Sequence, residues 1–249
     1  MPAHAHHAIQ AVIAVDGSIA ICGSDRTWRE SRAIVVRPDA EHAFDCNGAS
    51  GVMLFIDPES TEGAWVAASL RDDITFVSDA RVDAVVAALG TLAGEANDPG
   101  DIPTVVRRIV QALAPGFAPR RRLDTRVTAV LDAIRAADDL RMSLDHAAAV
   151  ACLSSTRFAH LFKEQVGLPF SRYMLWRKLT RAMVAIASER TIAAAAHAAD
   201  FADAAHLTRT SYQMVGMAPS VLMRGDFIEI ASPFTTTPQD RAQFPRASE

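Results

Sequence analysis

The sequence has little of what defines several large classes of protein. Its three cysteines, Cys22, Cys46 and Cys152, are widely spaced and odd in number, which supports neither a disulfide framework nor a zinc site built from cysteine pairs. No apolar run reaches the length of a membrane span, because Arg, Asp or Thr interrupts each long stretch. The N-terminus lacks the basic, apolar and small-residue order of a signal peptide. These absences predict a cytoplasmic protein with reduced thiols and no membrane partner.

Signatures of common enzymes are missing as well. The sequence contains no P-loop, no dinucleotide-binding fingerprint and no visible Ser-His-Asp arrangement. Hydrophobic residues make up 50% of the 249 positions, which argues against wholesale disorder. The length allows one large domain or two ordinary ones. We therefore expect a folded protein that is not an enzyme.

The net charge of −4 hides an uneven distribution. Between Pro119 and Gly225 there are 15 Lys and Arg against 9 Asp and Glu, so this segment carries +6 and the rest of the chain −10. A basic half suggests that this part of the chain meets a polyanion, although a solvated surface explains the same charges.

The first part of the chain reads as short strands followed by helices. Strands are predicted at residues 8–15, 18–22, 33–37 and 51–56, and helices at 61–70, 78–92 and 102–113. Asp16-Gly17 predicts a hairpin between the first two strands. The strand spacing indicates a small sandwich or barrel. The expected fold class is therefore α+β and multidomain, because everything after Asp124 reads as helical.

One helical arrangement occurs twice in the second half. A short Ala-rich helix, a tight turn and a capped helix are predicted at 144–166 and again at 192–215, with a long helix at 169–188 between them. This order describes two helix-turn-helix units, in which the second helix presents a polar face to the major groove. On periodicity alone, two ordinary αα-hairpins in a bundle are the competing interpretation.

The second helix of each unit supplies candidates for contact with DNA bases. Its apolar residues are predicted to face the core: Phe158, Leu161 and Phe162 in the first unit, and Phe201 and Leu207 in the second. The opposite faces carry Thr156, Ala159, His160 and Lys163, then Ala204, Ala205, Thr208 and Arg209. Among these, the guanidinium of Arg209 can donate two hydrogen bonds to a guanine edge.

The stretch LSSTRFAHLFKEQVG, from Leu153 to Gly167, resembles the first recognition helix of the AraC/XylS family of bacterial transcription regulators. The second unit matches that family at Ile192, Ala196, Phe201, Asp203, His206, Leu207, Arg209, Gly216 and Pro219. The resemblance implies two recognition helices in successive major-groove segments of double-stranded DNA, and it adds Arg157 to the base-reading candidates. It also implies a sequence-specific regulator that responds to a small-molecule effector. We further expect a homodimer, because two bound copies multiply the effective concentration at adjacent half-sites.

Several positions depart from that family's pattern. Asp200 and Cys152 replace turn glycines, Ser211-Tyr212 stands where Phe-Lys is usual, and Met223 stands where Arg is common. An aspartate tolerates a left-handed conformation less well than glycine does. The second unit is therefore the weaker match, and its readout is expected to depend mostly on Arg209 and Thr208.

The N-terminal histidines resemble a second pattern. His4-Ala5-His6 resembles the first cupin motif, with Gln10 where metal-binding cupins have Glu, and Pro38–His42 resembles the second cupin motif. The resemblance implies a cupin-like sensor domain. The imidazoles of His4, His6 and His42, with Gln10, could hold a divalent transition metal, and no other cofactor is expected.

A polar effector pocket that includes Gln10 and Trp28 is the competing interpretation of the N-terminal region. Its large aromatic residues are more often core than ligand contacts; they are Trp28, Phe44, Phe55 and Trp65.

We expect four segments along the chain: a cupin-like sensor domain with pairing or bracing helices at 1–115, a linker at 116–122, an AraC-type DNA-binding domain at 123–225 and a tail at 226–249. Two other functions compete. A metal-dependent cupin enzyme with a helical appendage, such as a dioxygenase or isomerase, requires the three histidines to converge on one metal. A helical module that binds only protein predicts no salt-dependent affinity for DNA.

Overall fold

The structure is a computed structural model that describes residues 2–94, 102–114, 123–137, 139–188 and 191–222. These residues form two compact units, with residues 2–114 making up most of the first and residues 123–212 most of the second. The predicted linker at 116–122, the tail at 226–249 and Met223 lie outside the described residues. Within those ranges, every helix is too short or too polar to cross a bilayer.

Two antiparallel sheets form the β part of the first unit. Their strands are β1 (Ile9–Ala14), β2 (Ile19–Cys22), β3 (Trp28–Ser31), β4 (Ala33–Val36), β5 (Ala43–Asp45), β6 (Gly51–Ile56) and β7 (Ile74–Phe76). One sheet has the order β6-β1-β4-β7 and the other the order β3-β2-β5. Neither sheet closes on itself. The expectation of a β-rich unit followed by a helical one is confirmed at this level.

The predicted hairpin at Asp16-Gly17 is wrong. β1 pairs with β4 and β6, whereas β2 pairs with β3 and β5, so this turn carries the chain from one sheet to the other. The turn itself is present, with Gly17 at φ +71° and the backbone N–H of Ser50 donating to Asp16 Oδ1 over 2.6 Å. All six residues of β1 are buried, which suits a central strand. Turn residues indicate that the chain reverses direction, but the burial of a strand decides which strand it pairs with.

Three strands, β3, β5 and β7, were not predicted. Trp28–Ser31 is polar and mostly exposed, so it lacks the alternation of apolar residues that marks a half-buried strand. Ala43–Asp45 and Ile74–Phe76 have three residues each, too few to show a period. Each of these strands exists because it pairs with a neighbour that comes from a distant part of the sequence.

Three helices cover the sheet formed by β1 and its neighbours. They are α1 (Thr61–Ser69), α2 (Asp79–Gly94) and α3 (Ile102–Leu113), close to the predicted positions. Val82 and Val85 of α2 and Ile109 and Val110 of α3 pack in one hydrophobic cluster with residues of β1, β4 and β6. The apolar stripe that predicted α2 is therefore the face that it buries.

The second unit is entirely helical. Its helices are α4 (Thr125–Ala136), α5 (Leu144–Val150), α6 (Ser155–Val166), α7 (Phe170–Ser188), α8 (Ile192–Ala198), α9 (Ala204–Val215) and α10 (Pro219–Leu222). The helices α5 to α9 were predicted, with ends close to those observed. In α4 the buried residues are Val127, Val130, Leu131 and Ile134, the stripe that the spacing of apolar residues predicts.

Both helix-turn-helix turns pass through a left-handed residue that is not glycine. Cys152 has φ +53° and Asp200 has φ +59°, a conformation that costs roughly 1–2 kcal/mol. The Asp200 carboxylate accepts hydrogen bonds from Leu140 N (3.0 Å) and Arg141 Nε (2.7 Å), and its backbone carbonyl accepts one from Lys178 Nζ (3.0 Å). Burial alone would raise the pKa of Asp200, but the bonds from Leu140 and Arg141 lower it. Asp200 therefore anchors its turn, whereas the Cys152 side chain is exposed.

These two turns should respond oppositely to glycine. We expect Cys152→Gly to raise the free energy of unfolding by about 0.5–1 kcal/mol, because relief of the left-handed strain exceeds the added entropy of the unfolded chain. Asp200→Gly should lower it by about 1 kcal/mol or more, because the carboxylate's hydrogen bonds are lost. Urea denaturation followed by circular dichroism measures both changes. Changes of the same sign would contradict this account of the turns.

Candidate nucleic-acid interface and histidine cluster

The first helix-turn-helix unit consists of α5 and α6. Ser143 and Ser154 begin these helices, and each side chain accepts a hydrogen bond from a backbone N–H in the first turn, which satisfies a donor that has no partner within the helix. Gly167 ends α6 at φ +93°. The hydroxyl of Ser155 is hydrogen-bonded to the carboxylate of Asp145, so the start of α6 is tied to α5. The predicted caps are therefore present.

The inner face of α6 is held by an aromatic cluster. Phe158 and Phe162 are fully buried. The Phe162 ring lies 5.5 Å from that of Phe158, 5.3 Å from that of Phe170 and 5.4 Å from that of Tyr173, measured between centroids. Edge-to-face packing of this kind adds about 0.5–1.5 kcal/mol per pair to the burial of the rings. Since Phe170 and Tyr173 belong to α7, the cluster fixes α6 on the long helix.

The outer face of α6 presents most of its predicted base-reading residues to solvent. Thr156, Arg157, His160 and Lys163 are exposed, and Ala159 is half-buried at the edge of this face. The face combines hydroxyl, guanidinium, imidazole and ammonium groups, which donate hydrogen bonds to base edges and to phosphate oxygens. We call these five residues the first reading face.

The second helix-turn-helix unit consists of α8 and α9, and it is built in the same way as the first. Thr191 begins α8, and Asp203 begins α9 by accepting a hydrogen bond from His206 N over 2.6 Å. Leu207 and Phe201 are buried, as predicted. The edge of the His206 ring meets Phe201 with 5.1 Å between centroids. An imidazole–phenyl contact therefore stands beside the turn through Asp200.

The four predicted residues of α9 differ in what they offer to DNA. Ala205 and Arg209 are exposed, whereas Ala204 and Thr208 are half-buried. The Thr208 hydroxyl donates to the Ala204 carbonyl over 2.8 Å, so its proton is bound within the helix and its oxygen is left as an acceptor. Arg209 is therefore the strongest donor among the residues predicted for this helix.

Tyr212 also belongs to this exposed face, and the sequence analysis missed it. Its side chain is 53% exposed, and it follows Ala205 and Arg209 at the i+7 and i+3 positions that share one side of a helix. Its neighbour Ser211 is buried. The family comparison treated this pair only as a loss, although helical spacing alone places Tyr212 beside Arg209. A tyrosine hydroxyl can bind a DNA phosphate.

The long helix α7 sets the distance between the two units. Its 19 residues span about 28 Å at the helical rise, which is close to the roughly 34 Å turn of B-DNA. Two of its basic side chains bind backbone carbonyls inside the domain: Lys178 Nζ donates to Asp200 O (3.0 Å) and Arg181 Nη2 to Ala137 O (3.2 Å). These two cations stabilise the packing of the helical domain. Part of the positive charge of the second half of the chain is therefore structural.

Comparison with known proteins now identifies this domain. A family profile described as "Helix-turn-helix domain", of the AraC type, matches residues 147–225, which run from within α5 past the end of α10. Residues 147–225 therefore form a helix-turn-helix domain of the AraC type. The protein is a DNA-binding transcription regulator of the helix-turn-helix class. A search of curated proteins finds no significant match to this chain.

Solved structures of ToxT share the fold of this chain. An apo variant of ToxT from Vibrio cholerae strain SCE256 is 9% identical, with a TM-score of 0.60 over 90% of this chain and 93% of that one. ToxT from Vibrio cholerae O395 is 10% identical, with a TM-score of 0.57 over 89% and 90%. ToxT of strain SCE256 bound to an unsaturated fatty acid is 9% identical, with a TM-score of 0.54 over 89% and 90%. At this identity the likeness shows the fold alone.

In the first unit, backbone hydrogen bonds join two histidine-bearing segments. His4 N donates to His42 O and His42 N donates to His4 O, each over 2.9 Å, which forms an antiparallel bridge. Asp39 N donates to His6 O over 2.8 Å. Although His4 lies close to the start of the chain, its backbone is therefore fixed to the segment before β5.

The three histidines predicted as metal ligands lie together. His4, His6 and His42 are 7%, 3% and 1% exposed. One ring nitrogen from each lies within 4.8 Å of the other two. The ring centroids are 4.4 Å apart for His4 and His42 and 5.1 Å apart for His6 and His42.

All three rings are oriented by the same kind of hydrogen bond. The Nδ1 atom of each lies against a backbone carbonyl: His4 at 2.8 Å from Pro2 O, His6 at 3.0 Å from Ala8 O and His42 at 2.9 Å from Ala40 O. Because a carbonyl oxygen only accepts, each Nδ1 must carry the proton. In the neutral ring the Nε2 atom is then left with a lone pair.

Gln10 fills the space between two of these rings. Its side chain is fully buried, and Oε1 lies 2.8 Å from His6 Nε2 and 2.7 Å from His42 Nε2. The Nε2 atoms of His4 and of Gln10 are buried without a hydrogen-bond partner. The polar atoms of this cluster are therefore not satisfied by the protein alone.

Burial keeps these imidazoles neutral near pH 7. Desolvation lowers the pKa of His6 to about 4, against the hydrogen bond that a protonated ring would donate to Gln10, and it lowers the pKa of His42 to about 3 together with repulsion from His6. Desolvation also lowers the pKa of His4. Each ring is thus a lone-pair donor at neutral pH.

The adjacent His7 has a different role. Its Nε2 atom lies 2.9 Å from Glu59 Oε1 and its Nδ1 atom 3.4 Å from Asp39 Oδ2. Burial lowers its pKa, but the hydrogen bonds to Asp39 and Glu59 outweigh burial and raise the pKa to about 9. Both nitrogens of His7 therefore face carboxyl oxygens, and neither offers a lone pair to a ligand.

The predicted effector residues are not alike. Gln10 belongs to the histidine cluster, whereas Trp28 stands on β3 in the other sheet and is 55% exposed. The expectation that Trp28 belongs to the core is wrong, because β3 lies at the edge of its sheet and turns this side chain to solvent. Phe44, by contrast, is fully buried.

Proposed function

We propose that this regulator is cytoplasmic, that it reads a specific double-stranded DNA sequence through both helix-turn-helix units, and that an effector bound in its first unit controls this activity. The observation that supports DNA readout is the pair of exposed polar faces on α6 and α9, which the 19-residue helix α7 connects along the chain together with α8. One face of the DNA presents successive major-groove segments at a separation of about one helical turn.

Within this proposal, the two faces have different roles. The first reading face carries Arg157, His160 and Lys163, so it contributes both base contacts and phosphate contacts. On α9, Arg209 reads a guanine and Tyr212 holds a phosphate. The second helix-turn-helix unit therefore specifies fewer bases than the first helix-turn-helix unit.

Control by an effector is supported by the fold of the first unit and by its relatives. ToxT, whose fold this chain shares, has been solved with an unsaturated fatty acid bound. We place the effector site of this chain in the β-rich, cupin-like first unit. The regulator acts as a homodimer, because two bound copies raise the effective concentration of each reading face at adjacent half-sites.

The DNA proposal is tested with a selected operator. Sequences bound by the full chain are recovered from a random DNA pool, and affinity for the selected site is measured in wild type, Arg209→Ala and His160→Ala. We expect Arg209→Ala to weaken binding by about 1–3 kcal/mol and to relax the preference at one base pair. His160→Ala should relax the preference at a different base pair.

Arg71→Ala is the matched control, because Arg71 is an exposed arginine of the first unit and its loss removes the same charge. We expect no change in base preference for this variant. Affinity for the operator should fall steeply with salt, because phosphate contacts release counterions. If the wild-type chain shows no sequence preference above non-specific binding at physiological salt, the proposed readout is wrong.

The histidine cluster favours a second candidate, a metal-dependent cupin enzyme with a helical appendage. A catalytic metal site keeps an open coordination position for substrate, whereas here Gln10 Oε1 already lies between two of the rings. We therefore propose that the chain is not an enzyme. Metal-dependent turnover of a small molecule that is lost in His6→Ala would support the second candidate instead.

A further inference from the structure

We propose that His4, His6, His42 and Gln10 form a binding site for one divalent first-row transition-metal ion, with the three imidazole Nε2 atoms and Gln10 Oε1 as ligands. The site lies wholly within the first unit, and it does not depend on whether the second unit binds DNA.

The hydrogen-bonding atoms at the centre of this cluster are mismatched. With each Nδ1 proton bound to a backbone carbonyl, His6 and His42 turn Nε2 lone pairs toward Gln10 Oε1, which also has only lone pairs. Three acceptors thus meet at distances of 2.7–2.8 Å with no proton between them. Only a positive centre makes these contacts favourable.

Neither a rotated amide nor protonation removes this difficulty. Rotation of the Gln10 amide would let its NH₂ group donate to His6 and His42, but it would leave Oε1 fully buried without a donor. A buried unsatisfied polar atom costs about 1–3 kcal/mol. Protonation of the rings is opposed by their burial and by their mutual repulsion. His4 Nε2 is buried without a partner in both cases.

A metal ion satisfies all of these atoms together. The outer hydrogen bonds are already in place, because a metal-binding histidine usually donates its other ring N–H to a backbone carbonyl or carboxylate. All three histidines do so here. Nitrogens bound to one tetrahedral ion lie roughly 3.3 Å apart, since each bond measures about 2.0–2.1 Å. The observed 4.8 Å limit means that small ring movements close the set.

The donor types decide the class of ion. Three imidazole nitrogens with one amide oxygen suit divalent zinc, copper, nickel or iron, whereas magnesium and calcium prefer carboxylate and carbonyl oxygens. The site contains no carboxylate or thiolate ligand, so the bound ion keeps its full positive charge. The lack of a sulfur ligand disfavours monovalent copper, because that ion prefers thiolates and thioethers.

Binding would also fix the beginning of the chain. His4 precedes β1 and is connected to the rest of the unit by its bridge to His42. A metal bond between these residues adds a covalent-like link across that bridge. We therefore expect the ion to stabilise the first unit as well as to occupy it.

The test uses the full chain without a histidine tag. Metal-free protein is titrated with Zn²⁺ against a chromophoric chelator, and with Co²⁺ while the ligand-field spectrum is recorded. We expect one equivalent of either ion, and a rise in the melting temperature on loading. His6→Ala and His4→Ala should each weaken Zn²⁺ binding by roughly 100-fold or more. Because His4 lies outside every strand, His4→Ala tests the site even if His6→Ala fails to fold.

His146→Ala is the matched control, since His146 is an exposed histidine of the second unit, and it should bind one equivalent like wild type. Gln10→Glu should bind more tightly, because it supplies a charged oxygen in the same place. Failure of the wild-type chain to bind one equivalent, or equal affinity in wild type and His4→Ala, overturns the proposal. Operator binding measured on the same preparations reports on the proposed function separately, so the failure of one is distinguishable from the failure of the other.

Discussion

Replacing Phe162 by alanine should lower the free energy of unfolding of the second unit by about 3–5 kcal/mol. The ring is fully buried and touches Phe158, Phe170 and Tyr173, so its removal leaves a cavity that three rigid neighbours cannot fill. A loss of this size is a large fraction of the stability of a typical domain. Urea denaturation followed by circular dichroism measures the change.

The same substitution should abolish operator binding for a structural reason. Phe162 holds α6 on α7, and without it the first reading face loses its fixed orientation. Thr156→Ala is the matched control, because Thr156 is exposed on the opposite side of α6. We expect Thr156→Ala to weaken DNA binding while the urea midpoint stays within error of wild type. If Phe162→Ala unfolds at the wild-type urea concentration, the aromatic cluster does not hold α6.

Gly63→Ala should lower the free energy of unfolding of the first unit by about 3 kcal/mol. Helix propensity alone predicts the opposite sign, since alanine is about 1 kcal/mol better than glycine inside a helix. A Cβ at this position, however, would overlap the Asp57 carbonyl oxygen and would lie 2.7 Å from the Asp57 carbonyl carbon and 2.9 Å from Pro58 Cα. Backbone atoms cannot move aside like the end of a flexible side chain, so the start of α1 must shift.

Gly48→Ala is the control for Gly63→Ala. Gly48 has φ +77°, and a Cβ added there meets no atom within 4 Å. Only left-handed strain is expected from this change, roughly 1–2 kcal/mol. Thermal and urea denaturation of the two variants should rank Gly63→Ala as the more damaging. A stabilised Gly63→Ala protein would show that α1 does not approach the 57–58 segment as closely as described.

The helical half could be predicted in detail because its signals are local. Ser143, Ser154 and Thr191 cap α5, α6 and α8, and Gly167 ends α6 in the left-handed conformation. A cap acts on backbone atoms within one turn, so the sequence around it contains all the information needed.

The β-rich half could be predicted only in outline, because strand pairing is not local. The turn at Asp16-Gly17 was identified, but the partners of β1 come from β4 and β6. Trp28 looked like a core residue, and its exposure follows from the edge position of β3. No feature within a few residues of either position specifies that outcome.

The candidate sites show the same division. The spacing of apolar residues correctly placed Arg209 and His160 on exposed faces, but it gave no weight to Tyr212. The histidine pattern correctly brought His4, His6 and His42 to one place. The direction of each ring could not be predicted, because it depends on which backbone carbonyl accepts the Nδ1 proton, and those carbonyls are positioned by the fold.

The length of α7 has a consequence for how this protein can change over evolution. One inserted or deleted residue in an α-helix rotates everything beyond it by about 100° and shifts it by about 1.5 Å. Even if the domain still folded, such a change in α7 would rotate α9 relative to α6. The exposed faces of the two helices would then no longer meet the same side of the DNA. The identity of the exposed residues of α7 can therefore vary, whereas the length of the helix cannot. The packing of its buried face and, under the proposed readout, the pitch of the DNA therefore both limit the tolerance of this helix to insertion and deletion.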